Sequence, residues 1–154
     1  MPRSPESLVE LRAEVAKTRD LLARQRAFLQ EFVDGDLRRL GRGQAGAMVV
    51  AGVLTDAYTC AETLFWRIAQ ACENHVPPGR WHAEVLRRMT LSIETVRDRV
   101  LGDDTFGLLD ELRRFRHFRR YYFALEYDWA KLEYLLGVYR SEERRVGKEC
   151  RSRW

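Results

Sequence analysis

Apolar residues recur at Leu8, Leu11, Val15, Leu22, Leu29 and Phe32 with gaps of three, four or seven, the spacing that lines one face of a helix. Ser4-Pro5 begins this helix and the segment DGDLRRLGRGQ, residues 34–44, breaks it. From about Ala45 to Asn74 the apolar surface is nearly continuous, which predicts a central helix contacted on several sides. It ends at ENHVPPGR, residues 73–80. Trp81, Val85, Met89, Ile93, Val96 and Val100 share one stripe and predict a third helix, closed by GDD at 102–104. A fourth is expected from about Thr105 to Tyr122, and a short fifth from near Asp128, with Trp129, Leu132, Leu136 and Tyr139 facing inward. No alternating strand pattern competes. Four principal antiparallel helices with short connections predict an all-α, up-and-down four-helix bundle, with the short fifth helix at one end.

A chain of 154 residues, 45% hydrophobic and 32% charged, is sized and composed for one packed domain, expected over residues 1–140. The segment SEERRVGKECRSRW, residues 141–154, loses apolar periodicity. It resembles translated vector sequence and is read as a non-native, poorly structured tail with no part in function. Without it the formal net charge falls from +4 to +2, so the positive charge that matters is local. All but three of the 27 basic residues are arginine, which favours bidentate contacts to phosphates or carboxylates. The three cysteines, Cys60, Cys72 and Cys150, have no Cys-x-x-Cys spacing, which argues against a disulfide framework or zinc site and for a reducing cytoplasm. No secretory signal is seen at the start. The apolar stretch 45–72 is interrupted by Asp56, Glu62 and Arg67, which reads as a buried helix rather than a membrane span.

The segment RRFRHFRRYYF, Arg113 to Phe123, holds five arginines and a histidine. At 100° per residue, Arg113, Arg116, His117, Arg120 and Tyr121 fall within about 140° on one side of a helix. Leu108, Leu112, Phe115, Phe118 and Tyr122 take the other side, so the aromatics are expected in the core and the arginines on the surface. No acidic residue lies between Arg113 and Ala124, leaving the repulsion uncompensated within the helix. Acidic side chains of another helix, a second subunit or a phosphate backbone are the candidates to offset it. Imidazole, guanidinium and phenol at one point suit RNA cleavage, in which a base takes the ribose 2′-hydroxyl proton and arginine stabilises the charged phosphorane without a metal. Tyr58 and Glu62, one turn apart, read as a buried hydrogen bond. His75 and His82 read as loop and helix-start residues rather than metal ligands.

The stretch LLDELRRFRHFRRYYFALEYDWAKL, Leu108 to Leu132, resembles the C-terminal motif region of HepT-like proteins in the HEPN superfamily. LTDAYTCAETLFWRIAQ (54–70) and VPPGRWHAEVLRRM (76–89) are similar to the preceding helices of that group. The resemblance implies a helical homodimer in which paired R-x(4–6)-H motifs meet in an intersubunit cleft, acting as a metal-independent endoribonuclease without a cofactor. It further implies a small nucleotidyltransferase antitoxin as partner, able to attach AMP to a tyrosine two residues after the motif histidine. Arg116 and His117 match the motif arginine and its polar neighbour. Tyr121 stands where the motif histidine is expected, and Phe123 where the modified tyrosine is expected, leaving Tyr121 and Tyr122 as the adjacent hydroxyls. Arg113-x-x-x-His117 offers a pairing one residue too short for the motif.

The expected site therefore comprises Arg116, His117 and Tyr121 for cleavage and Arg113 and Arg120 for RNA binding, with no metal. Two further readings stand beside the toxin ribonuclease. One is a catalytically degenerate module that docks a nucleotidyltransferase or RNA without cutting. The other is a scaffold whose arginines pair with acidic residues across a dimer interface, for which RNA binding would be absent even at low salt.

Overall fold

The computed structural model describes residues 5–73, 79, 81–121 and 126–152, with side chains described within 7–141 of those. Among the described residues the protein is helical, with α1 (Pro5–Asp34), a five-residue α2 (Asp36–Leu40), α3 (Gln44–Glu73), α4 (Trp81–Arg88), α5 (Asp103–Tyr121) and α6 (Trp129–Ser152). It is an all-α bundle in which α3 packs against every other helix, as its nearly continuous apolar surface predicts. Val50, Ala51, Leu54, Tyr58 and Ala69 of α3 are fully buried. They meet Leu29 and Phe32 of α1, Val85 and Leu86 of α4, Leu108, Leu112 and Phe115 of α5, and Leu132, Leu135 and Leu136 of α6 in one core. By length and composition α3 could cross a membrane, but half of its most apolar window is covered by the rest of the protein.

The start of α3 is tight because Gly46 lacks a side chain. A Cβ there would sit 2.8 Å from Leu37 and 3.4 Å from the Trp129 ring, closer to Leu37 than packed carbon atoms allow. This glycine lets α2 and α6 close on α3. Trp129 donates from its indole nitrogen to the Gly43 carbonyl at 3.3 Å. Asp128 caps α6 by accepting from the Ala130 amide at 2.9 Å.

Three expectations change. The stripe from Trp81 to Val100 does not form one helix: α4 stops at Arg88, and 89–101 folds into turns with an isolated bridge between Ile93 and Arg97. The cause is Arg97. Its guanidinium donates to the carbonyls of Arg88 at 2.8 Å, Leu91 at 2.9 Å and Asp98 at 3.2 Å, and these bonds hold the loop closed around it. Thr90 adds a local competitor, donating its hydroxyl to the Arg87 carbonyl at 2.7 Å. Second, α6 extends to Ser152, longer than the short helix expected. Third, Phe118 is exposed and not core. The inward positions near the end of α5 are taken instead by Arg116 and Arg119, which α3 anchors through Glu62 and Thr55. Tyr122 and Phe123 lie outside the described residues, as does His75.

Candidate functional site

A carboxylate in the middle of an apolar helix needs partners, because an unpaired buried charge costs several kcal/mol, on the order of the stability of a whole domain. Glu62 of α3 is such a group, its side chain 6% exposed. Its partners come from three helices. From α5, Arg116 grips it in a fork, with Nη1 to Oε2 at 2.7 Å and Nη2 to Oε1 at 3.0 Å. From α4, Nδ1 of His82 lies 2.7 Å from Oε1. From α3 itself, one turn back, the Tyr58 hydroxyl donates to Oε1 at 2.9 Å. Both carboxylate oxygens are thus satisfied by charge-assisted bonds, the stronger class.

The same residues hold one another. The Arg116 guanidinium sits 4.6 Å from the centre of the Tyr58 ring, a cation–π contact, and Nη1 donates to the Thr59 hydroxyl at 3.2 Å. Thr59 and Thr55 donate their own hydroxyls back along α3, to the carbonyls of Thr55 and Ala51. They therefore present lone pairs to the arginines of α5. The His82 ring packs against that of Trp81, centroids 3.8 Å apart and planes tilted by 31°. Two adjacent residues at the start of α4 thereby fix the imidazole plane.

Burial alone would raise the Glu62 carboxyl. Hydrogen bonds from Arg116, His82 and Tyr58, with the charge of Arg116, outweigh it and hold the group below the ordinary carboxylate range. Glu62 is therefore ionised and can only accept hydrogen bonds. Tyr58 is driven the other way, far above an ordinary phenol, by burial first and then by the charge and hydrogen bond of Glu62, against a weaker pull from Arg116 and Arg113. It remains a neutral donor.

The arginine run divides between two sides of α5. Arg116 is turned inward, 14% exposed. Arg119 follows it, donating to Thr55 at 2.9 Å, with its Nε buried and unbonded. Arg113 pairs with Asp110 at 2.9 Å and Arg114 with the other oxygen of that carboxylate at 2.6 Å. His117, Arg120 and Tyr121 are exposed, and the His117 and Tyr121 rings lie 5.0 Å apart. The repulsion is thus offset by Glu62 of another helix, as one of the expected candidates, and, contrary to expectation, within the helix itself by Asp110, one turn upstream. The structure brings Arg116 together with Tyr58, Glu62 and His82, and His117 together with Tyr121. The Tyr58 to Glu62 hydrogen bond is present as expected.

His82 is the residue that sequence reasoning left among structural positions. It does begin α4, but its ring is committed to Glu62, twenty residues back, and its Nδ1 is 3.3 Å from Nη2 of Arg116, 34 residues on. No local periodicity carries such a contact. Among the described residues no group of three or more His, Cys, Asp or Glu is arranged to hold a metal ion.

A sequence profile described as HepT-like protein matches residues 49–151. The match runs from within α3 to the end region of α6 and takes in every residue of the Glu62 cluster. No curated protein and no solved structure gave a match.

Proposed function

Because the chain belongs to the HepT-like protein family, we propose that it is the toxin component of a toxin–antitoxin module, a metal-independent endoribonuclease that cuts RNA in a cleft between two subunits of a homodimer. What supports this reading is Arg116. The arginine at the motif position is locked by Glu62, Tyr58 and Thr59, and stabilising charge in a transition state requires groups fixed before the reaction begins. Arg113 and Arg120 contact the phosphate backbone, with His117 and Tyr121 on the exposed side of the same helix. The antitoxin is a small nucleotidyltransferase, with Tyr121 or Tyr122 as the hydroxyl it modifies with AMP. The setting is the cytoplasm.

The test is incubation of the purified dimer with total RNA in EDTA, alongside Arg116→Ala. Cleavage by wild type and its loss in the variant are expected. Intact RNA with wild type, together with toxicity unaffected by Arg116→Ala, overturns the reading.

One observation favours a second reading, a degenerate module that docks RNA or the antitoxin without cutting: Tyr121 occupies the position of the motif histidine, and a phenol is a poor base at neutral pH. Tyr121→His separates the two. Activity created only by that substitution supports degeneration, and an already active wild type rejects it.

A further inference from the structure

We propose that His82, oriented by Glu62, is the general base for RNA cleavage by this chain, doing the work for which Tyr121 is chemically unsuited. The inference rests on the ribonuclease reading above and names the proton acceptor within it.

The proton on the imidazole is fixed by its neighbours. Nδ1 of His82 has one in-plane position for hydrogen bonding, and two neighbours compete for it: Oε1 of Glu62 at 2.7 Å and Nη2 of Arg116 at 3.3 Å. A carboxylate cannot donate and a guanidinium cannot accept. The shorter contact, to the anion, places the proton on Nδ1, so the arginine is a close neighbour and not a donor to the ring. In the neutral ring that leaves the lone pair on Nε2. Nε2 makes no hydrogen bond among the described residues, and the side chain keeps 38% of its surface open. A carboxylate behind one ring nitrogen and an open lone pair on the other is the arrangement that orients an imidazole as a base. Trp81 fixes the ring plane.

His82 is also beside the right arginine. Its neighbours among titratable and charged groups are Tyr58 and Glu62 on α3 and Arg116 on α5, with Arg113 one turn earlier on α5. On α4 itself Glu84 is paired with Arg87. His117 is exposed, and its ring packs on Tyr121; no carboxylate among the described residues fixes its tautomer. Of the two described histidines, only His82 has an orienting acid.

In the step, Nε2 of His82 takes the proton from a ribose 2′-hydroxyl as the 2′-oxygen forms a bond to phosphorus. The bond from phosphorus to the 5′-oxygen breaks, and that oxygen leaves with the electron pair and takes a proton from water. His82 returns its proton to solvent. The products are a 2′,3′-cyclic phosphate and a 5′-hydroxyl, with no change of oxidation state.

The experiment uses the full chain and an end-labelled RNA oligonucleotide in EDTA, with a 2′-deoxy substitution at the cut position as control. His82→Ala is expected to slow cleavage by about 100-fold or more, and added imidazole to restore at least a tenth of the wild-type rate. Thermal unfolding of the variant verifies that it folds. Cleavage by His82→Ala within about threefold of wild type, or a loss that imidazole leaves untouched, overturns the role of His82 while leaving the ribonuclease reading standing. A wild-type chain that cuts nothing removes the ribonuclease reading, and this inference with it.

Discussion

Two glutamates on α3, Glu62 and Glu73, both have buried side chains held by arginine, yet they equip the molecule for different things. Glu73, near the end of the helix, has a side chain 4% exposed and lies between Arg88 and Arg97. Arg97 donates to it at 2.6 and 3.0 Å and spends its remaining donors on three loop carbonyls. Its Glu73 and loop bonds join the end of α3 to the 89–101 segment and leave little over for anything else. Glu62 is held by one arginine, one tyrosine and one histidine, and the histidine has a second nitrogen left over. Burial and ion pairing are common to both sites. Spare bonding capacity on a titratable group is what separates a candidate reaction centre from a structural tie.

The contrast can be broken first at the tie. Arg97→Ala leaves Glu73 with Arg88 alone and strips the carbonyls of Arg88, Leu91 and Asp98 of their donor, so it should destabilise the fold by about 3 kcal/mol. Urea titration measures it. A loss below about 1 kcal/mol would mean that the carbonyl bonds of Arg97 carry no structural weight.

The Glu62 cluster should respond to acid. Its carboxyl is held below its unfolded value, so the stability it contributes is complete above the unfolded value of about 4.3 and is lost as pH falls from there through the lower folded value. Glu62→Gln removes this titration while keeping an acceptor for Tyr58 and His82. Stability of wild type should therefore fall more steeply than that of the variant below about pH 4.3. Parallel curves from pH 6 to pH 3 would show that the carboxylate gains nothing from its partners.

Smaller effects follow at the edges of the comparison. Tyr58→Phe keeps the ring under Arg116 and removes one of three donors to Oε1, so calorimetry should show a loss of about 1 kcal/mol. Deleting residues 142–154 should shift the unfolding temperature by less than about 2 °C, because the buried leucines of α6, Leu132, Leu135 and Leu136, precede the cut and the sequence removed keeps no apolar periodicity.

The helices were legible where one apolar stripe decides the matter. The bounds of α1 and α3 follow from apolar spacing together with the breaking segments beside it, and the burial of Leu108, Leu112 and Phe115 from spacing alone, because burying an apolar face is what stabilises a helix. The Tyr58 and Glu62 pair was legible too, since its partners are one turn apart. The segment from Trp81 to Val100 misled because Ile93 and Val96 keep helical spacing while Arg97 closes the chain into a loop, and a side chain bonding to backbone carbonyls has no periodic signature. Arg116 was read as outward because periodicity assigns charge to water. It turns inward because Glu62 waits on α3, 54 residues earlier in sequence. His82 was hidden for the same reason: both its partners are long-range, and only the packing of α4 between α3 and α5 brings them together.

Glu62 holds the proton of neutral His82 on Nδ1, and nitrogen-15 NMR of the imidazole reads that proton directly. At a pH where the ring is neutral, wild-type His82 should give the pattern of a single Nδ1–H tautomer with Nε2 unprotonated, and Glu62→Gln should shift it toward a mixture. An Nε2–H tautomer in the wild type, or a mixture unchanged by removing the carboxylate, would contradict this placement of the proton.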